Sequence, residues 1–271
     1  MVRVDIMTNH DLEKIKKDPI FAIIPVGSLE QHGDHLPVST DSIIAEYLAE
    51  HVSENIHAIC LPVLSIGISF EHEPMFNVSL THQTFSRVLK EICISLIKFG
   101  VKDILILNGH HGNMGALHYV SQDVFNEINH ASIFTQDRDI SENVSINFIN
   151  YWHLMQGLDH AGEIETSLIM AINPDLVHLN NHIISQRSQL SSKLHNSNGN
   201  NNNTSAKGNK IVEKSKIAYA SITNTPGSFP KITGDGVWGD PTMASAEKGK
   251  EALRDLVFKI EETINDFKKK I

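Results

Sequence analysis

Residues 21–35 read Phe-Ala-Ile-Ile-Pro-Val-Gly-Ser-Leu-Glu-Gln-His-Gly-Asp-His, a short apolar run followed by glycine and polar residues. The run at 21–26 is too short for a helix and is typical of a strand buried on both faces. Residues 103–113 repeat the pattern, because Asp-Ile-Leu-Ile-Leu is followed by Asn-Gly-His-His-Gly-Asn. Two apolar runs that each end in a histidine-bearing loop therefore suggest both a fold and a candidate site.

Helical patterns lie between the predicted strands. Apolar residues recur at helical spacing from Asp41 to His51 and from Phe85 to Phe99, and Gly100 stands where a C-terminal cap is expected. We also predict strands at Ala58–Leu64 and Ser132–Phe134, and helices at Met114–Ile128 and about Thr242–Phe267. Strands that alternate with helices indicate crossover units. The sequence thus predicts one α/β domain over 1–271, with a mostly parallel sheet covered on both sides.

An asparagine-rich stretch at 188–210 interrupts this pattern, with Asn196–Thr204 at its centre. It has too few apolar residues to offset the entropy lost on ordering, so we expect a flexible surface insert. A strand-like pattern returns at Ile217–Ile222, so the insert is expected to interrupt the domain and not to end it.

Composition and charge exclude several classes of protein. The formal net charge is −9, whereas surfaces that bind nucleic acid or anionic membranes need a basic face. No apolar run approaches the roughly 18 residues of a membrane span, and the first ten residues lack the apolar core of a signal peptide. Cys60 and Cys93 cannot build a disulfide framework. We therefore expect a cytoplasmic protein.

The 16 histidines include several that lie beside acidic residues. Three clusters stand out, at 27–41, at 108–113 and at 159–166, and the first two follow predicted strands. Ligands of open α/β sheets bind at the carboxyl ends of the strands, where these clusters could converge. Carboxylate and imidazole ligands without thiolates suit Zn²⁺, Mn²⁺ or Fe²⁺, and one bridging carboxylate would make a two-metal hydrolase centre.

Each candidate residue could also be present for a structural reason that involves no function. Asp41 could only cap its helix, and Glu30 with His32 could be a solvated loop pair. His110 and His111 could be turn residues, His160 could be a satisfied polar residue, and Glu163 and Glu165 could be favoured by a helix dipole. The concentration of all these residues near predicted strand ends favours a joint functional site.

Four motifs in order resemble the creatininase (creatinine amidohydrolase) family, over residues from about 21 to 249. They are Gly-Ser-Leu-Glu-Gln-His-Gly-x-His-Leu-Pro with Thr-Asp, Asn-Gly-His-x-Gly-Asn, His-Ala-Gly-Glu-x-Glu-Thr-Ser, and Gly-Val-Trp-Gly-Asp-Pro at 236–241. The resemblance implies a three-layer α/β/α fold, an amidohydrolase that uses two divalent metal ions (Zn²⁺, Mn²⁺ or Fe²⁺), and a homo-oligomer, commonly a hexamer.

The resemblance also implies a ligand set. Matched position by position, Glu30 and His110 would bind the first ion, His32 the second, and Asp41 would bridge them. In creatininase, a glutamate two residues after the metal-binding histidine binds the second ion, and Gly112 stands at that position here.

Two glutamates are candidates for the missing ligand. We expect Glu163 to supply it, because many relatives with the same glycine carry a glutamate there. Glu165 is the alternative, and otherwise it would support catalysis from beside the ligands. His160 matches the catalytic histidine of the family. The implied reaction is attack of a metal-bound hydroxide on an amide, with His160 passing a proton to the leaving nitrogen.

The substrate is expected to be a small amide. Glu71-His72 is not followed by the Pro-Gly-Thr turn that is common in the family, and His111 replaces an aromatic substrate contact of creatininase. We predict that His72 and His111 contact the substrate, while these differences argue against creatinine itself. Other members of the family cleave formamide groups of pyrimidine precursors or peptide bonds of a cofactor precursor.

The sequence also bears on three other functions. Residues 234–239 spell G-x-G-x-x-G, but too little chain follows to complete a dinucleotide-binding unit. No G-x-S-x-G motif supports a serine hydrolase. A non-catalytic subunit that binds a metal or ligand is the remaining alternative, and metal-dependent turnover would distinguish it from an enzyme.

Overall fold

Four parallel strands form the sheet of the computed structural model, which describes residues 3–16, 20–135, 144–157, 159–182 and 225–270. The strands lie in the order β2-β1-β3-β4. Their bounds are β1 Ile20–Val26, β2 Ile59–Cys60, β3 Val101–Asn108 and β4 Ser145–Asn150. The central pair β1 and β3 ends in register at Val26 and Asn108, so the loops that follow both strands leave the sheet at one edge.

The described residues include seven helices. They are α1 Asn9–Ile15, α2 Thr40–Ile56, α3 His82–Phe99, α4 Met114–Thr135, α5 Glu163–Ile172, α6 Ser228–Thr233 and α7 Ala246–Lys270. Gly100 caps α3 in the left-handed conformation, as its position in the sequence predicts.

Successive side chains along each strand point to opposite faces of the sheet, and this divides the apolar core into two layers. Ile23 and Leu105 pack with apolar residues of α2, α5 and α7. Ile24 and Ile106 point to the opposite face and pack with α3 and α4. Both faces of the sheet are therefore buried under helices, which confirms the predicted three-layer α/β/α fold and explains the continuous apolar runs.

Some predicted elements differ from the structure. The strand expected at Ser132–Phe134 is wrong, because α4 continues to Thr135, and the strand beside β3 is β4. A segment of three residues with two apolar side chains fits a helix as well as a strand. The strand expected at Ala58–Leu64 is only two residues long, with a further single bridge from Leu64 to Val26. Helix α7 begins at Ala246 and not near Thr242 because Pro241–Met243 forms a separate 3-10 turn.

The predicted insert at 188–210 and the predicted strand at Ile217–Ile222 lie outside the described residues. Within the described part of the chain, no helix has the length and apolar character needed to cross a membrane.

Candidate metal centre

The loops after β1 and β3 meet the first turns of α2 and α5 at the carboxyl edge of the sheet. The β1 loop carries Glu30 and His32, the β3 loop carries His110, and Asp41 lies in the first turn of α2. A Cβ atom at Gly109 would collide with the main-chain oxygen of Asp41. Glycine at this position thus lets the β3 loop pass directly against the start of α2.

Asp41 is the centre of the cluster. Its Oδ1 accepts a hydrogen bond from His32 Nε2 at 3.1 Å, and its Oδ2 lies 2.9 Å from His110 Nδ1. On the other side of His110, Nε2 lies 3.2 Å from Glu30 Oε2. All four side chains are buried. The four residues that the sequence nominates as ligands therefore form one group, in which Asp41 lies between the two histidines.

Glu165 joins this group from α5. Its Oε2 lies 3.6 Å from His32 Nε2 and accepts a hydrogen bond of 2.6 Å from the Ala161 main-chain nitrogen. Glu163 points away from it, and its Oε1 lies 2.6 Å from Lys248 Nζ, with the two side chains 44% and 51% exposed. The sequence predicts Glu163 as the replacement ligand and Glu165 as the alternative, and of these two glutamates it is Glu165 that lies beside His32. The Glu165 carboxylate holds the place beside His32.

His160 lines the same pocket as His110 and Glu30. Its ring centroid is 4.1 Å from that of His32, and its Nδ1 lies 3.9 Å from Glu30 Oε1. Its main chain forms a two-bond antiparallel bridge with Trp238, which belongs to the fourth sequence motif. Burial, together with the neighbouring imidazoles of His32 and His72, lowers the pKa of His160 well below its ordinary value. A neutral imidazole can accept a proton in the pocket.

The other ionisable groups have strongly shifted pKa values for physical reasons. Burial lowers the pKa of His32, but the Asp41 carboxylate outweighs it and raises the value to about 10. Burial also opposes ionisation of Glu30, but the nearby imidazoles of His110 and His72 hold its pKa well below the ordinary value. For Glu165, burial is the largest effect and the pKa is raised.

Two buried carboxylate oxygens indicate that the residues fit a cation. Glu30 Oε1 and Asp41 Oδ2 make no hydrogen bond to the described residues. Imidazole nitrogens of His72 and His110 nevertheless lie 3.0 and 2.9 Å from them. Donor and acceptor atoms this close without hydrogen-bond alignment are the arrangement expected of groups that face a common ion. Buried polar atoms otherwise find a partner in most native structures.

The donor atoms form several groups in which all atoms lie within 4.8 Å of one another. Two of the groups share Asp41, namely Glu30–Asp41–His110 and His32–Asp41–Glu165. The others combine Glu30 with His32 and His160, or with Glu71 and His72.

Aromatic and acidic side chains that the sequence did not nominate line the same pocket. Trp152, Met155 and Phe229 form part of its wall together with the predicted His111 and His72, and Glu71 lies among them. The rings of His111 and Trp152 are stacked with centroids 5.9 Å apart. No motif around Trp152 or Phe229 marks them, because chain segments distant from the predicted clusters bring them into the pocket.

Gly112 cannot be replaced without moving its surroundings. A Cβ atom there would collide with the main-chain oxygen of Ile68 and would lie 2.5 Å from His110 Nε2 and 2.7 Å from Glu71 Oε1. The main chain and Glu71 thus occupy the space that a side chain at position 112 would need.

Comparisons with known proteins identify the family of this chain. A sequence model of the creatininase family, described as creatinine amidohydrolase, matches residues 5–264. The creatinine amidohydrolase of Pseudomonas putida is 26% identical over 180 residues, which are 58% of this chain and 66% of that protein, just under two thirds of its length. The mycofactocin precursor peptide peptidase of Mycobacterium tuberculosis is 26% identical over 248 residues, 87% of this chain and 80% of that protein.

Solved structures show the same fold. A manganese creatininase has a TM-score of 0.73 at 21% identity, with 98% of each chain covered. A mutant creatininase of Zn-Zn type has a TM-score of 0.72 at 22% identity, with 97% of each chain covered. Because the family model covers nearly all of the sequence, this chain belongs to the creatininase family.

Proposed function

We propose that this chain hydrolyses the C–N bond of a small amide with the help of two divalent metal ions. The observation that carries the proposal is the position of Asp41, whose two carboxylate oxygens face His32 and His110 at 3.1 and 2.9 Å. Asp41 is thereby shared between the sets Glu30–Asp41–His110 and His32–Asp41–Glu165. A carboxylate shared between two ligand sets is the arrangement of a two-metal hydrolytic centre.

The donor atoms decide which ions the site suits. Carboxylate oxygens and imidazole nitrogens without thiolate favour Zn²⁺ or Mn²⁺, and Fe²⁺ also fits. When bound, such ions activate water and polarise the amide carbonyl. Ser28 Oγ donates a hydrogen bond of 2.9 Å to Glu30 Oε2, and Ala161 N donates to Glu165, so two of the carboxylates are already oriented without an ion.

His160 is the proposed proton-transfer group. Its buried, neutral ring presents Nδ1 to the pocket, 3.9 Å from Glu30 Oε1. As water adds to the carbonyl carbon, His160 takes up a proton at Nδ1. It then passes that proton to the amide nitrogen as the C–N bond breaks, so that a carboxylic acid and an amine leave the site.

The pocket wall suits a small, planar amide. The stacked rings of His111 and Trp152 offer a flat face, and burial lowers the pKa of His111 to about 4, so that its ring is neutral. Glu71 Oε2 has no hydrogen-bond partner among the described residues, and an N–H group of the substrate fits there. His72 contributes its ring to the wall, but protein groups face both of its nitrogens. By family resemblance, we expect the enzyme to act as a homo-oligomer, commonly a hexamer.

An amide screen on reconstituted protein tests this proposal. The full chain is stripped with a chelator, reloaded with Zn²⁺ or Mn²⁺, and assayed on creatinine, on an aryl formamide and on short peptides. We expect release of an amine from at least one class, lost on chelation and restored by metal. Tight metal binding without turnover on any class would favour a non-catalytic binding subunit instead.

A further inference from the structure

Gln31, between Glu30 and His32 in the chain, is buried and has a fixed side-chain orientation. Its Oε1 accepts a hydrogen bond of 3.0 Å from the Gly33 main-chain nitrogen, and its Nε2 donates one of 3.1 Å to the Gly236 main-chain oxygen. A main-chain N–H can only donate and a main-chain carbonyl can only accept. These two contacts therefore determine which end of the Gln31 amide is the donor.

Gly236 is suited to this contact. Its φ is +77°, a conformation that favours glycine, and a Cβ atom there would collide with Gln31 Oε1. The fourth sequence motif thus reaches the site through its main chain and anchors the Gln31 amide.

The anchored amide determines where His72 carries its proton. Gln31 Nε2 lies 2.9 Å from His72 Nδ1, and since Gln31 Nε2 is a donor, His72 Nδ1 is the acceptor. The ring proton is then on Nε2, which lies 3.0 Å from Glu30 Oε1. To bind an ion through Nε2, His72 would have to move that proton to Nδ1, which already faces the Gln31 donor, so the candidate set Glu30–Glu71–His72 loses one of its ligands.

The main chain of Gln31 determines which ring nitrogen of His160 carries the proton. His160 Nε2 lies 3.0 Å from the Gln31 main-chain oxygen, which only accepts, so His160 Nε2 is protonated and Nδ1 is bare. Gln31 Nε2 also lies 3.2 Å from His160 Nε2, but both are donors, and the two amide protons are used by Gly236 and His72. Next to Glu30, His72 therefore offers an N–H group and His160 a bare nitrogen.

We propose that Gln31 is a positioning residue that fixes His72 as the Nε2–H tautomer, which places the His72 N–H group beside Glu30 and excludes His72 from metal binding. The functional part of this inference rests on the proposed function, in which Glu30 binds an ion and His160 accepts a proton. The tautomer itself depends only on the contacts of Gln31.

Side-chain ¹⁵N NMR of the metal-free, full-length protein tests the inference. Signals are assigned by their loss in His72→Phe and His160→Phe. In wild type we expect a bare Nδ1 and a protonated Nε2 on both rings. In the Gln31→Glu variant both side-chain oxygens can only accept hydrogen bonds, so we expect His72 Nδ1 to become protonated. The protonation of His160 should not change, because its Nε2 donates to the main-chain oxygen of residue 31. Gln83→Glu, on the exposed face of α3, makes the same charge change as a control.

A protonated His72 Nδ1 in wild type would overturn the inference, and so would a bare one in folded Gln31→Glu. If that variant does not fold, the wild-type spectrum alone decides. Added Zn²⁺ should shift the ring nitrogens of His32 and His110 and leave His72 Nε2 protonated; loss of that proton on Zn²⁺ addition would also overturn the inference. If Zn²⁺ shifts none of these rings, the proposed function fails, while the tautomer assignment is still decided by the metal-free spectra.

Discussion

The carboxylate of Glu165 lies 3.6 Å from Nε2 of His32, with both side chains buried. This contact joins the first turn of α5 to the loop after β1. Residues two apart on a helix do not share a face, so Glu163 cannot reach the same place, and its carboxylate pairs with exposed Lys248 instead. The helical geometry of α5 therefore favours Glu165 over Glu163 as the proposed ligand.

The two glutamates form a matched pair of variants. Glu165→Gln should reduce the bound metal by one ion per chain, because an amide replaces a charged ligand beside His32. Glu163→Gln should leave metal content unchanged and alter stability by less than about 1 kcal/mol, since it removes only an exposed ion pair. Metal analysis and thermal melts of both variants check this. Loss of metal from the Glu163 variant alone would reverse the assignment.

The Asp41→Asn substitution should weaken the binding of both metal ions. The present carboxylate faces His32 through one oxygen and His110 through the other. An asparagine leaves only one acceptor oxygen and removes the negative charge that both ligand sets share. Metal content measured after dialysis should fall at both sites, and unchanged stoichiometry would remove Asp41 from the ligand set.

His160→Ala should separate metal binding from chemistry. The His160 ring lies beside the carboxylates, but its proposed role is to transfer a proton and not to bind a metal ion. We expect metal content to stay the same while kcat falls by about 100- to 10,000-fold, the usual contribution of a general acid–base group. Turnover at the wild-type level would show that another group transfers the proton.

Metal affinity should rise with pH. In the metal-free protein the pKa of His32 is raised to about 10, mainly by Asp41 acting against burial, and burial raises the pKa of Glu165. Both groups therefore hold protons at neutral pH that an ion must displace. Zn²⁺ titrations from about pH 6 to about pH 9 should show increasing affinity, with proton release detectable by calorimetry in buffers of different ionisation heat. Affinity that is independent of pH would contradict these protonation states.

Gly112 and Gly115 provide a test of packing near His110. A Cβ atom at Gly112 collides with the Ile68 main chain, whereas the nearest atom to a Cβ at Gly115 is 4.0 Å away. Gly112→Ala should destabilise the protein by about 1–3 kcal/mol and lower metal affinity. Gly115→Ala, at the start of α4, should be neutral or slightly stabilising. Equal melting temperatures for the two variants would show that the β3 loop adjusts easily.

The sequence predicted the parts of the molecule that local patterns specify. The apolar runs of β1 and β3 and the periodicity of α3 are readable because burial on two faces, or on one helical stripe, constrains each position. The histidine and acid clusters after those strands were readable for the same reason, since parallel strands bring their ends together.

The features that the sequence could not decide depend on contacts between distant segments. The choice between Glu163 and Glu165 follows from where α5 begins and how it docks, which the motif does not specify. Trp152 and Phe229 reach the pocket from separate parts of the chain. The short apolar run at 132–134 fits either type of element, and only the length of α4 and the position of β4 distinguish them.

The most direct test of the account is the metal content of the full-length protein, purified without an affinity tag and reconstituted with Zn²⁺ or Mn²⁺. The shared position of Asp41 between two ligand sets predicts about two ions per chain. A value of one would contradict the shared carboxylate. The absence of bound metal after reconstitution would contradict the hydrolytic centre as a whole.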